Sequence, residues 1–225
     1  MYRKYIKRLL DIICSLFAIT LLSPVLIIVS ILVHIKLGSP IIFKQQRVGK
    51  NEKIFTMYKF RTMTDERDQN GCLLPNEARF TKFGSILRAT SLDELPELIN
   101  ILNGDISIVG PRSLLVEYLP YYTECERQRH KVRGGLTPPE VLYDNITPTW
   151  EKQFEYEVHY ANNVSFMLDV RIMFATIKGV FKRNSVDYGN YVRASFAEER
   201  KNSYKDGTFK PEQRFRRLET DEGRR

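Results

Sequence analysis

The stretch Ser91-Leu92-Asp93-Glu94-Leu95-Pro96-Glu97-Leu98 sets two carboxylates side by side where a helical spacing begins. Ser91 with Glu94 three positions on fits a capping box, and acidic side chains favour a helix start, where backbone N–H groups lack partners. Structure alone therefore explains the pair. In a chain with 35 Lys and Arg, the same pair has two further uses. Hard carboxylate oxygens suit Mg²⁺, and a carboxylate can itself attack phosphorus. Gly110-Pro111-Arg112 follows the apolar, strand-like Ile106-Ser107-Ile108-Val109. An Arg fixed after a rigid turn suits bidentate capture of phosphate, although an ordinary surface Arg fits the same pattern. Tyr58-Lys59-Phe60-Arg61 puts Lys59 and Arg61 on one strand face, which reads equally as a solvated face or a weak phosphate site.

These groups follow an apolar N-terminal run. Leu9 to Ile35 holds Asp11 as its only acid and no Lys or Arg. As one straight helix it would reach ~40 Å, enough to cross a bilayer. It is too long for a cleaved leader and lacks a small-residue cleavage site, so it belongs to the mature protein. Pro24 cannot donate its N–H and crowds the carbonyl of Thr20, so a break is expected at Ser23-Pro24, with the Thr20 and Ser23 hydroxyls serving the freed carbonyls. The arms left are ~22 and ~18 Å long, each short of a ~30 Å apolar layer. Both flanks are basic, with Arg3, Lys4, Lys7 and Arg8 before and Lys36, Lys44 and Arg47 after, and both therefore favour the same cytoplasmic face. A hairpin dipping into one leaflet and a kinked single span fit these residues about equally.

Beyond Gly38-Ser39-Pro40 the pattern turns globular. Two short strands, 41–43 and 54–58, are expected to form a hairpin through Val48-Gly49-Lys50-Asn51; residues 64–79 read as a surface loop, and 82–102 and 116–129 as helices. Gly134-Gly135, Pro138-Pro139 and Pro148 mark 133–149 as an ordered loop. Helices follow over 150–160 and 166–183. The second has an apolar face of Phe166, Val170, Met173, Phe174, Ile177, Val180 and Phe181, suited to a domain core or, more sharply, to a bilayer surface. Residues 184–225 carry nearly balanced charge with little periodicity and are expected to form a mobile tail.

Composition narrows the function. Cys14, Cys72 and Cys125 are scattered, and three separated His offer no His-rich metal centre, so a reducing compartment is expected. A net charge of +8 asks for an anionic partner. Nucleic acid is disfavoured, because no helix-turn-helix, zinc or RNA-binding signature is present.

Taken in order, the apolar hairpin with Ser23-Pro24, Tyr58-Lys59-Phe60-Arg61-Thr62-Met63, Ser91-Leu92-Asp93-Glu94-Leu95-Pro96, Asn103-Gly104-Asp105 and Gly110-Pro111-Arg112 resemble the bacterial sugar transferases, the monotopic phosphoglycosyl transferases. The likeness covers roughly 1–183 and is closest to small members such as the bacillosamine phosphotransferases. It implies an α+β protein: a re-entrant membrane hairpin (1–37), a catalytic domain with interfacial amphipathic helices (38–183), and the charged tail (184–225). It tips the topology toward the hairpin, at the bacterial inner membrane with the catalytic domain on the cytoplasmic face.

The resemblance also implies the reaction. Sugar 1-phosphate passes from a UDP-sugar to polyprenyl (undecaprenyl) phosphate, releasing UMP and initiating glycan assembly, with downstream glycosyltransferases as further partners. Asp93 matches the family's nucleophile, which forms a phosphosugar-enzyme intermediate. Glu94 matches its partner in metal binding or in assisting the second attack, and Mg²⁺ is held by Asp93 and Glu94. Arg112 matches the Arg of the Pro-Arg-Pro motif that contacts the nucleotide-sugar, and Lys59, Arg61 and Arg88 are expected to bind substrate with it. Two departures stand out: Ser113 replaces the second Pro of Pro-Arg-Pro, and Arg133-Gly134-Gly135-Leu136-Thr137-Pro138 replaces Arg-Pro-Gly-Ile/Leu-Thr-Gly, continuing as Pro139-Glu140-Val141-Leu142-Tyr143-Asp144. They keep one rival open, an inactive membrane-tethered scaffold of the same fold.

Overall fold

The apolar run folds as one helix, α1 (Lys7–Leu37), in the computed structural model, which describes residues 1–143, 148–182 and 195–205. The two arms expected on either side of Ser23-Pro24 are continuous here. Pro24 deprives the Thr20 carbonyl of its helical partner, and the Ser23 hydroxyl donates to that carbonyl at 2.8 Å. The Thr20 hydroxyl in turn donates to the Leu16 carbonyl at 2.9 Å. Only Asp11, Ser15, Val29 and Val33 of α1 are buried, while Phe17, Leu21, Ile27, Ile28, Ile31 and Ile35 stand uncovered. The helix is long and apolar enough to cross a membrane, and its bare surface has the character of a lipid contact.

The described chain divides into two units. The first comprises Lys4–Gln46 and Phe55–Asp105. Its core sets Val29 and Val33 of α1 against Phe60 and Leu87, with Leu92 and Leu95 packed alongside. Strands β1 (Ile42–Val48) and β2 (Ile54–Phe60) pair as the expected hairpin, whose turn residues, 47–54, group with the second unit. A short α2 (Asn76–Arg79) closes the polar loop.

The single helix expected over 82–102 is instead α3 (Lys82–Ala89), a 3₁₀ turn at Leu92–Glu94, and α4 (Glu97–Asn103). Ser91 adopts a left-handed φ of 55° and caps nothing, so the expected capping box is absent. Pro96 supplies the reason: it has no N–H for an incoming helix, but it suits the start of a new one. Gly84 is required where α3 meets the strand, because a Cβ there would come within 1.8 Å of the Thr62 carbonyl oxygen. At the other end of α4, Arg8 donates to the carbonyls of Ile101 and Leu102 at 2.5 and 2.7 Å, serving groups that a helix C-terminus leaves open.

The second unit comprises Met1–Arg3, Arg47–Ile54 and the described residues from Ile106 onward. Part of the expected 133–149 loop is a strand: β4 (Gly134–Thr137) pairs in parallel with β3 (Ile106–Val109), with Ile106 opposite Gly134. The segment 116–129, expected as one helix, is a 3₁₀ run over Val116–Tyr121 that contains Pro120, then α5 (Glu124–Arg127) with a Thr123–Glu126 capping box. Helices α6 (Trp150–Asn162) and α7 (Phe166–Lys182) match expectation. However, the apolar face of α7 points outward, with Phe166, Met173, Phe174 and Ile177 exposed, while Ile172 and Asp169 are buried. Asp169 earns its burial by accepting hydrogen bonds from the hydroxyls of Tyr2 (2.5 Å) and Tyr160 (2.6 Å). Within the expected tail, Phe196–Lys205 form α8, and Phe196 is fully buried among Tyr118, Tyr122, Trp150 and Phe154. Ala197 is buried beside it, and Arg200 donates to the buried Glu126, so an aromatic anchor and an ion pair dock an otherwise polar helix. Residues 184–194 and 206–225 of that tail lie outside the described residues.

Candidate active site

Lys59, on β2, meets the acidic segment of the first unit. Its Nζ donates to Glu94 Oε1 at 2.7 Å and lies 3.0 Å from Glu97 Oε1. β2 presents the lysine, the 3₁₀ turn presents Asp93 and Glu94, and the first residue of α4 presents Glu97. Asn100, fully buried, keeps α4 in register with β2. Its Oδ1 accepts from the Tyr58 N–H at 3.0 Å, and its Nδ2 donates to the Thr56 carbonyl at 2.7 Å and to Asp105 Oδ2 at 3.0 Å. Leu92 and Leu95 pin the acidic turn to the core on either side of the two carboxylates.

Burial and mutual repulsion dominate the electrostatics. Asp93 is buried, which raises its pKa; the Glu94 charge raises it further, against the pull of Lys59 and Arg88. Glu97 is pushed up to about 7, by burial first and by Glu94 as well, despite Lys59. Burial opposes the charge on Lys59, but Glu94 and Glu97 outweigh it and raise its pKa. The Arg88 Nε donates to Thr62 Oγ1 at 3.0 Å, and its guanidinium lies 4.5 Å over the Phe80 ring; burial lowers its pKa, and Asp93 counters that. Arg61 is buried with Nη1 donating to the Ser39 carbonyl (3.0 Å) and to Asp65 Oδ2 (2.6 Å), so its contacts here tie down the chain after α1.

Three carboxylates around one ammonium form a site with carboxylate charge in excess. Such a group is relieved by gaining a cation. Among the described residues, no group of three or more His, Cys, Asp or Glu converges to hold an ion unaided. The hard oxygens of Asp93 and Glu94 fit Mg²⁺, which takes one or two carboxylates and completes its shell with water and substrate phosphates.

Glu97 has a measurable signature. Its carboxyl takes up a proton in the folded protein at a higher pH than in the unfolded chain. Raising the pH from 4.5 to about 7 therefore ionises the unfolded chain first and removes stability, on the order of 3 kcal/mol in full, with no further loss above that range. Glu97→Gln is expected to abolish this share of the slope. Denaturant unfolding of parent and variant at pH 5 and pH 8 reads it as a larger loss of stability with pH in the parent than in the variant; equal losses would refute it.

Arg112 belongs to the second unit, where three buried side chains grip it. Its N–H donates to Glu157 Oε1 at 2.9 Å, its carbonyl accepts from Arg129 Nη2, and its Nε donates to Glu140 Oε1 at 2.5 Å. Arg129 Nε closes the frame on Glu157 Oε2 at 2.6 Å, and Gln153 donates to Glu157 Oε1 at 3.1 Å. The two departures from the family pattern meet here: a Cβ on residue 134 would come within 2.1 Å of Ser113 Oγ. Glycine at 134 thus makes room for the serine that stands in the place of proline. Gly135 faces a similar limit, since its Cβ would lie 2.0 Å from the Gly110 nitrogen.

Of the residues expected at the site, Lys59, Asp93, Glu94 and Arg88 fall in one neighbourhood of the first unit, and Arg112 in the second. Glu97 was not singled out from the sequence, although its position one turn beyond Glu94 was a usable signal. Glu140, Arg129 and Glu157 had none, because their pairing joins positions far apart in the chain.

The profile of the family described as bacterial sugar transferase matches residues 2–183. A Bacillus subtilis (strain 168) protein named uncharacterized sugar transferase EpsL is 46% identical over 189 residues, covering 84% of this chain and 94% of its own length. The exopolysaccharide production protein PSS of Rhizobium leguminosarum bv. phaseoli is 37% identical, covering 76% of this chain and 93% of its own. A Klebsiella pneumoniae protein named UDP-glucose:undecaprenyl-phosphate glucose-1-phosphate transferase is 36% identical over 80% of this chain, which spans 41% of that longer protein.

Proposed function

This chain belongs to the bacterial sugar transferase family, and from that membership we propose that it is a polyprenyl-phosphate sugar-1-phosphate transferase. The observation that carries the chemistry is the buried Asp93 with its raised pKa, beside the Lys59-bound Glu94 and Glu97. A UDP-sugar is the donor. The Asp93 carboxylate attacks the phosphorus that bears the sugar, the bond from that phosphorus to the bridging oxygen breaks, and UMP leaves with the electron pair. The product is an aspartyl phosphosugar. A phosphate oxygen of polyprenyl phosphate then attacks the same phosphorus and frees the carboxylate. Two steps let one site serve a water-soluble donor and a lipid acceptor in turn.

Lys59 and Arg88 hold positive charge beside Asp93, where negative charge gathers as the phosphoryl group arrives. Asp93 and Glu94 would hold Mg²⁺, which when bound neutralises the diphosphate. Arg112 recognises the donor through its phosphates. The reaction takes place at the cytoplasmic face of the inner membrane, with α1 bending at Pro24 within the bilayer so that both its ends return to that face, and with the product passed to downstream glycosyltransferases. Single cysteines at residues 5 and 39 should then both react with an impermeant reagent from the cytoplasmic side; labelling from opposite sides would make α1 a span.

The activity is tested with the protein in Mg²⁺, polyprenyl phosphate and a panel of UDP-sugars. UMP release with one of them is expected. No UMP from any donor would favour the tethered scaffold instead.

A further inference from the structure

The geometry points to Glu140, Arg129 and Glu157 as positioning residues that hold Arg112 ready for the diphosphate of the nucleotide-sugar. This rests on the function proposed above and adds the machinery that aims one of its residues.

Stability alone does not favour the arrangement around Arg112. Arg129 and Glu157 have fully buried side chains, and a buried ion pair is often no better than apolar side chains of the same size. What this pair does is specific. Glu157 accepts the Arg112 N–H and Arg129 donates to the Arg112 carbonyl, so both polar groups of one residue's backbone are fixed by opposite charges. Each charge is also satisfied by the other, which closes a rigid ring around the start of the Arg112 side chain.

Glu140 acts further out. A carboxylate can take a guanidinium through two parallel bonds, yet Glu140 uses one oxygen on Nε, and its Oε2 is buried without a hydrogen-bond partner among the described residues. Holding Arg112 by Nε fixes the plane of the guanidinium from one edge. The Arg112 side chain is 54% exposed, while that of Glu140 is only 6% exposed. A mobile surface arginine would lose several rotatable bonds on meeting an anion; this one has its base and one edge already set, which lowers the cost of binding. Glu140 lies in the 139–144 segment, where this chain departs from the family pattern.

The test uses the full-length protein and two readouts, calorimetric affinity for UDP and the donor KM and kcat for UMP release. Glu140→Gln is expected to weaken UDP binding and raise KM by about 10- to 100-fold with kcat little changed. In an Arg112→Ala background the same change is expected to have no further effect. The double variant Arg129→Met with Glu157→Met is expected to keep its unfolding midpoint but to weaken UDP at least as much; should it fail to fold, the Glu140 cycle decides alone. Parental UDP affinity and KM in folded Glu140→Gln, or an equal loss with and without Arg112, would overturn the inference while leaving the proposed function standing. A parent that neither binds UDP nor releases UMP would overturn both.

Discussion

Asp93→Asn is expected to remove turnover by a factor on the order of 10⁴ or more, with the fold intact. The asparagine keeps the size and the buried position but cannot form an acyl phosphate, and the loss of a covalent nucleophile is among the largest single-residue effects in catalysis. The environment supports Asp93 in this part: burial and Glu94 leave its charge poorly satisfied, which favours its attack on phosphorus, and Lys59 and Arg88 stay beside it to meet the charge that the phosphosugar carries. Steady-state UMP release with the best donor measures the effect, and far-ultraviolet circular dichroism checks that the variant is folded. A variant retaining a tenth of the parental rate would move the nucleophile elsewhere. Because its pKa is raised, Asp93 also predicts that activity falls as pH drops toward the range where this carboxyl gains its proton.

Lys59→Met is expected to be the next most severe change, and it acts on two quantities at once. Without the ammonium, Glu94 and Glu97 face each other and Asp93 with no partner at the centre. Removing one side of a largely buried pair costs about 3 kcal/mol, and removing a charge aimed at a developing phosphoryl transition state costs about 100-fold in kcat. The stability loss should be greater at pH 8 than at pH 6, since Glu97 carries a proton below about 7 and then needs no cation. Adding Glu97→Gln should recover most of the stability and little of the activity. Recovery of both would reduce Lys59 to a structural role.

Much of this was legible in the sequence, and what was not has physical causes. The apolar run, the hairpin, α6 and α7 follow local periodicity, and they stand where that periodicity put them. Ser91 to Glu94 misled: the residues of a capping box are present, but Pro96 two positions on starts its own helix, and the acidic pair falls in the turn before it. The outward apolar face of α7 shows the limit of reading amphipathicity, which locates a stripe but not what covers it. Phe196 was hidden in a polar stretch because a single aromatic gives no period. At the site, adjacency in sequence marked Asp93 and Glu94, whereas the partners of Arg112 come from β4's flank and α6, and only the fold brings them to it.

Intact-protein mass spectrometry reads directly whether the carboxylate at 93 becomes an acyl phosphate. Protein mixed with its UDP-sugar and Mg²⁺, without acceptor, and quenched rapidly is predicted to gain the mass of one sugar phosphate less water, to lose it again when polyprenyl phosphate is added, and to gain nothing as Asp93→Asn. Polyprenyl-diphosphate sugar formed at full rate by protein that never carries that mass, or the same adduct on the Asn variant, would contradict the account.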